Sequence, residues 1–291
     1  TIDGWTTAPN YYLRIFVPNE TWEVGTRQGH SGVWDATKAT ISVSTGATYA
    51  ISILDKYVRI EGLQIRYDDN TTSGNGVSIG DIGSNDGDIR LERNIIRTRT
   101  TGAAAYSGVS VNTGSRTGVT LKLFNNIIYD SLSYGWIDNT SVASAGTAFH
   151  YNNTFYDCAT AVATQAGANP RKITAKNNLV QNAGTAGYTP GASFNAASTT
   201  NLSSLADAPG SSAKNNKTVL FLDSGNDDFR LSASDTEARA LGTNLTTDAD
   251  GSGLMGSYFN TDIRGEFRTS GWEIGAYELT ALEQPNDLTL Q

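Results

Sequence analysis

Apolar and polar residues alternate through one short phrase that returns five times between Val58 and Val180. The copies read VRIEGLQIR from Val58, IRLERNIIR from Ile89, LKLFNNIIY from Leu121, AFHYNNTFY from Ala148 and ITAKNNLVQ from Ile173. Anchored on Ile65, Ile96, Ile128, Phe155 and Val180, they recur at irregular intervals of about 25 to 32 residues, too long for a leucine-rich repeat and too uneven for a helical array. Seven places before the anchor stand Val58, Ile89, Leu121, Ala148 and Ile173; five places before it stand Ile60, Leu91, Leu123, His150 and Ala175. Apolar residues at every second place have the period of a strand, so Arg59, Arg90 and Lys122 between them point outward. A second apolar run follows each of the first four phrases, GVSIG at Gly76, GVSVN at Gly108, YGWID at Tyr134 and TAVAT at Thr160, and reads as another strand beyond a bend. Such a coil cannot bury its inner face alone; stacked coils supply the core.

Two places before the anchor stand Leu63, Asn94, Asn126, Asn153 and Asn178. Asparagines in register on consecutive coils stack their amides, each donating to the next carbonyl oxygen and satisfying backbone groups at the corner. Residues 1–57 read as an N-terminal cap and first coil, with a strand over Tyr12 to Val17 ended by Pro18 and Asn19. Residues 58–222 form the body, 223–278 a last coil and cap, and 279–291 a tail or linker. KTVLFL from Lys217 and DDFRLSA from Asp227 read as strands, TTNLSSLAD from Thr199 as one more corner and strand, and Asp235 to Leu241 as a short helix with Asp235 as N-cap.

The phrases NNIIYD, YNNTFYDC and KNNLVQNA, the closing GWEIGAYE at Gly271 and the opening HSGVWDATKATISV resemble the right-handed parallel β-helix proteins of the pectate-lyase-like superfamily. The resemblance implies an all-β fold, one right-handed parallel β-helix with N- and C-terminal caps in which Trp272, Ile274 and Tyr277 cover the last coil. It implies exposure outside the cell, on a cell surface or on a virion. It leaves activity open, because that superfamily holds lyases, hydrolases, phage tail proteins, adhesins and non-catalytic surface proteins, and fold does not supply function.

A net charge of −8 and a pI near 4.8 argue against nucleic acid as a partner, and no apolar run is long enough to span a membrane. The single cysteine, Cys158, excludes an internal disulfide and reads as a small buried residue. The start at Thr1, without initiator methionine or signal peptide, reads as a processed form or excised segment. His30, between Gly29 and Ser31, reads either as a base or as a hydrogen-bonded loop residue.

Four groups of side chains offer chemistry. Arg59, Arg90 and Lys122 share one outward row, Glu61 and Glu92 a second, Arg66 and Arg97 a third. A lyase acting on acidic glycans needs a base of this type, with cations or calcium at the substrate carboxylate, for which Asp68, Asp69, Asp81, Asp86 and Asp88 are candidates; the same rows also read as a solvated, ion-paired face. Asp130 and Asp157 align one coil apart and are candidate calcium ligands or a hydrolytic pair, or else turn residues. DADGSG at Asp248 lacks the spacing of an EF-hand. Tyr129 and Tyr156 share one outward place and Phe124 and Tyr151 another, offering flat apolar faces to a surface glycan, to a polysaccharide or to further copies of the chain. The leading expectation is a non-enzymatic surface solenoid, such as a fibre, adhesin or filament subunit, with no cofactor beyond an optional calcium. A polysaccharide lyase is second and a glycoside hydrolase third.

Overall fold

The computed structural model describes residues 1–18, 21–69, 73–83, 86–98, 106–113, 118–140, 146–165, 171–189, 193–248, 259–269 and 271–279. The chain is nearly all β and winds into a parallel β-solenoid. Its first face stacks Leu13–Phe16, Tyr57–Glu61, Gly87–Glu92, Val119–Phe124, Thr147–Tyr151 and Lys172–Lys176, every pairing parallel. A second face stacks Thr40–Val43, Gln64–Tyr67, Ile95–Arg97, the first parts of Ile127–Asp138 and Thr154–Thr164, then Leu179–Gln181 and Leu202–Ser203. A third face stacks Tyr49–Ile53, Gly74–Ile79, Tyr106–Val111, the later parts of the two long strands, and Ala186–Thr189. Among the described residues no helix is long and apolar enough to cross a membrane.

The register is the one the alternation predicts. Val58, Ile89, Leu121, Ala148 and Ile173 are successive partners on the first face, and Ile65, Ile96, Ile128, Phe155 and Val180 on the second; all are buried. Each large aliphatic side chain so enclosed contributes about 1.5–3 kcal/mol relative to exposure.

Between these faces runs the asparagine ladder. Asn94 Nδ2 donates to Asn126 Oδ1 at 3.0 Å, Asn126 Nδ2 to Asn153 Oδ1 at 3.1 Å, and Asn153 Nδ2 to Asn178 Oδ1 at 2.9 Å. Asn178 Nδ2 continues to Asn201 Oδ1 at 2.9 Å, so the ladder runs one coil beyond the recognised copies. Each Oδ1 also accepts a backbone N–H from the coil before it, from Leu63 N to Asn94 at 3.0 Å through Asn178 N to Asn201 at 3.1 Å. The second amide hydrogen reaches a main-chain carbonyl, as from Asn153 to Leu123 O at 2.7 Å. The residue before each rung, Gly62, Arg93, Asn125, Asn152, Asn177 or Thr200, has φ between 53° and 71°. This explains the doubled asparagines: the first makes the left-handed bend that asparagine tolerates, and the second joins the ladder.

After the last coil the chain forms an antiparallel hairpin, Phe221–Asp223 with Asp228–Leu231, then returns along the flank as a strap. Thr243 exchanges hydrogen bonds with the Asn177 amide at 2.8 and 2.7 Å, Asn152 Nδ2 donates to Phe259 O at 3.1 Å, Arg268 Nη2 to Asn125 Oδ1 at 3.2 Å, and Arg27 Nη2 to Arg264 O at 3.0 Å. The strap runs back from the Asn177 corner to Arg27 and then returns, Gly275 N donating to Asn177 O at 2.8 Å. Trp272 therefore does not cover the last coil. It packs with Phe124, Tyr151, Leu245 and Phe259, while Ile274 and Tyr277 share one apolar cluster with the outward row Ile95, Ile127, Leu179 and Leu202, the last of these on the final coil. Asp235 to Leu241 is not helical: Asp235 Oδ2 accepts the N–H groups of Glu237, Ala238 and Arg239, but Ala240 turns left-handed at φ 52° and stops the turn. Of the tail, only Leu279 lies within the described residues.

Two buried histidines complete the picture. His30 Nδ1 accepts the Gly32 N–H at 3.1 Å, so its Nε2 donates to Arg93 O at 2.9 Å, the loop role rather than a base. His150 occupies a core row against Trp136, ring centroids 4.5 Å apart, with no hydrogen-bond partner for either ring nitrogen among the described residues. Burial lowers the His150 pKa to about 3, and burial lowers that of His30 to about 4.

Two outcomes follow. Asn153→Ala removes a link in mid-ladder, strands the buried Asn126 N–H and takes the side-chain donor from Asn178 Oδ1, so it should lower unfolding free energy by at least about 2 kcal/mol in urea titrations. Below the unfolded-state value of about 6.5 the unfolded chain binds more protons than the folded one. Stability is therefore full above that pH and is lost as pH falls toward 4 and then 3, at about 1.4 kcal/mol per pH unit for each histidine. His150→Leu should remove one histidine's share of that slope between about pH 6 and 4, read as the difference between the two chains' acid-unfolding curves.

Candidate functional site

The cationic row is present and longer than the repeats disclose: Arg14, Arg59, Arg90 and Lys122 are successive partners. Like charges one strand spacing apart repel, and the neighbouring column answers them. Arg14 Nη2 meets Glu61 Oε2 at 2.7 Å, Arg90 lies 3.4 Å from Glu61 and 3.3 Å from Glu92, and Lys122 pairs with Asp88. Arg59 lies over the Tyr12 ring at 3.4 Å. Arg90 and Lys122 are buried. A general base needs an approachable lone pair, and this row is instead an ion-paired ladder.

Asp130 and Asp157 do align, and both have left-handed backbones, with φ 57° and 48°. They mark the bend where the second face runs into the third. Arg97 Nε donates to Asp130 at 3.0 Å and Asn182 Nδ2 to Asp157 at 3.0 Å; burial raises both carboxyl pKa values. Among the described residues no three His, Cys, Asp or Glu side chains are grouped to hold a metal. The loop acids have structural partners. Asp68 pairs with Arg66, Asp69 accepts from Gly46 N at 2.8 Å, Asp81 from Gly83 N at 3.0 Å, and Asp86 from the Tyr57 hydroxyl at 3.0 Å. Asp248 pairs with Lys176 at 2.8 Å; residues 249–253 of DADGSG lie outside the described residues.

The aromatic rows correct an expectation. Phe124 and Tyr151 stack at 5.4 Å and 20°, but both are buried beneath Phe259 and Trp272. Tyr129 is buried against Phe229 at 5.0 Å, and Tyr156 is half-buried between Phe229 at 4.8 Å and Phe221 at 5.8 Å. The outward apolar rows do signal a covering partner, and that partner is the chain's own C-terminal segment.

What stays open is the third face. A shallow groove of about 280 Å³ there is lined by Tyr49, Asn75, Ser107, Ser110, Tyr134 and Asn139 together with backbone and small neighbours. Tyr49, Asn75, Ser107 and Tyr134 belong to one row across successive coils, and Ser52, Ser78 and Ser110 to the next. Asn139 Nδ2 donates to Ser110 Oγ at 3.3 Å, holding the amide in the groove. The face is drawn tight by a glycine column: a Cβ on Gly108 would lie 2.7 Å from Gly135 O. Among the described residues no Asp, Glu, Lys, Arg or His lines the groove. Hydroxyls and amides can both donate and accept, and tyrosine rings present apolar faces, so the groove suits an uncharged, hydroxyl-rich ligand. The signal in the sequence was Asn75 and Ser107 just before GVSIG and GVSVN, with Ser78 and Ser110 inside them, which the aromatic rows overshadowed. No protein family, characterised protein or solved structure matched the chain in comparison.

Proposed function

We propose that the chain is a non-enzymatic surface β-solenoid, of the fibre or adhesin kind, that holds a glycan along its third face. The observation that carries this reading is the groove, without a charged side chain among the described residues, in which Tyr49 and Tyr134 flank Asn75 and Ser107 on one row. Coils repeat at the strand spacing of about 4.7–4.9 Å, so the face offers similar donors and acceptors in series to a linear polymer. Right-handed winding, kinship with pectate-lyase-like proteins and a location outside the cell or on a virion belong to the same proposal. The lyase reading loses support because the described cationic row is occupied by Glu61, Glu92 and Asp88.

A panel of immobilised neutral and acidic oligosaccharides tests it. Retention of at least one neutral glycan is expected, weakened about tenfold, or 1.4 kcal/mol, by Tyr49→Ala or Tyr134→Ala. Release of unsaturated or reducing ends from any polysaccharide, or neutral-glycan binding indifferent to both substitutions, overturns the reading.

A further inference from the structure

A charged cavity lies elsewhere, between the N-terminal edge strand, the corner at Gly62 and Arg93, and the strap's turn at Arg264 and Gly265. It encloses about 450 Å³, within the range of small-molecule sites. Arg14, Arg27, Arg93 and Arg264 line it, with Glu23, Glu61 and Glu266, so a chain of net charge −8 gathers an arginine surplus at one place.

The arginines are not equivalent. Arg14 is bound to Glu61. Arg264 is fixed by Asp262 at 2.9 Å and lies over Tyr277 at 4.1 Å, and its carbonyl receives Arg27. Arg93 differs. Its Nε is buried without a hydrogen-bond partner among the described residues, and its nearest carboxylate contact, with Glu92, is a long 3.6 Å. Arg93 also holds φ 53° at a corner where other coils place Gly62, Asn125, Asn152 and Asn177. A long side chain in that conformation costs of order 1–2 kcal/mol, and strain of this kind collects at functional sites. His30 braces it by donating to the Arg93 carbonyl.

We propose that this cleft binds a small hydroxylated monocarboxylate, of the sugar-acid class, with the Arg93 guanidinium as its carboxylate fork. Arginine's planar fork matches a carboxylate bidentately. Glu23 and Glu266 at the exposed rim accept hydroxyl hydrogens and repel a dianion. The ligand would join the strap to the first coils, and the site is independent of the third-face groove.

Titration calorimetry of the full chain at low ionic strength with D-glucuronate, D-glucose and sodium sulfate tests this. Glucuronate should bind saturably, glucose should not, and sulfate should bind more weakly. Arg93→Asn installs the residue the fold uses at this corner in three later coils, and should keep the melting temperature or raise it while weakening glucuronate at least tenfold. Arg27→Gln, on an exposed side chain, should weaken it several-fold. Tyr134→Ala should leave it unchanged, which separates this site from the neutral-glycan groove. Absence of saturable glucuronate binding, sulfate bound as tightly as glucuronate, or undiminished binding in the folded Arg93→Asn chain overturns the proposal.

Discussion

Everything in this protein depends on what happens at one corner of each coil. A parallel stack needs a sharp bend there, and a bend leaves buried N–H and C=O groups without strand partners. The ladder from Asn94 to Asn201 answers them from the neighbouring coil, one carboxamide satisfying a backbone N–H, the next amide and a main-chain carbonyl together. Because an unmet buried amide costs about 1–3 kcal/mol, the ladder fixes register far more strictly than the interchangeable Ile, Leu and Val rows inside. Once register is fixed, every outward column is fixed with it: the cations and their glutamates, the aromatic rows, and the hydroxyls of the third face.

The left-handed residue before each rung has a second use. Asn125, Asn152 and Asn177 turn their amides to the outside of the corner, where the strap's backbone and Arg268 meet them. One dipeptide thus holds coil to coil with its second residue and strap to coil with its first. Arg93 breaks that series, and the break coincides with the cavity between strap and first coils.

The repeat, the inward rows, the Asn94 to Asn178 rungs and the buried Cys158 were legible because each depends on short-range period and on neighbours at a constant offset. The rung at Asn201 was partly hidden, since its coil keeps only the two-residue strand Leu202–Ser203. The strap was not legible in its placement. GWEIGAYE shows that an apolar segment must be covered or do the covering, but not which surface it meets. Phe124, Tyr129 and Tyr151 were read as exposed for the same reason: strand alternation gives the side of the sheet, and only tertiary packing decides whether that side meets water. The third-face groove went unnoticed because serine and asparagine on an outward strand position look like ordinary surface until the coils set Tyr49 and Tyr134 beside them.

Solenoids ordinarily fold and fray coil by coil, each depending on its neighbours alone. Here a segment far along the chain, the turn at Ile263 and Arg264 with Tyr277, closes on Gly32 and Arg27, which precede the coils. Synthesis therefore carries an unfinished flank past the last coil: Ile95, Ile127, Phe124 and Tyr151 stay uncovered until this later segment emerges, the period when a nascent chain most needs shelter from its neighbours.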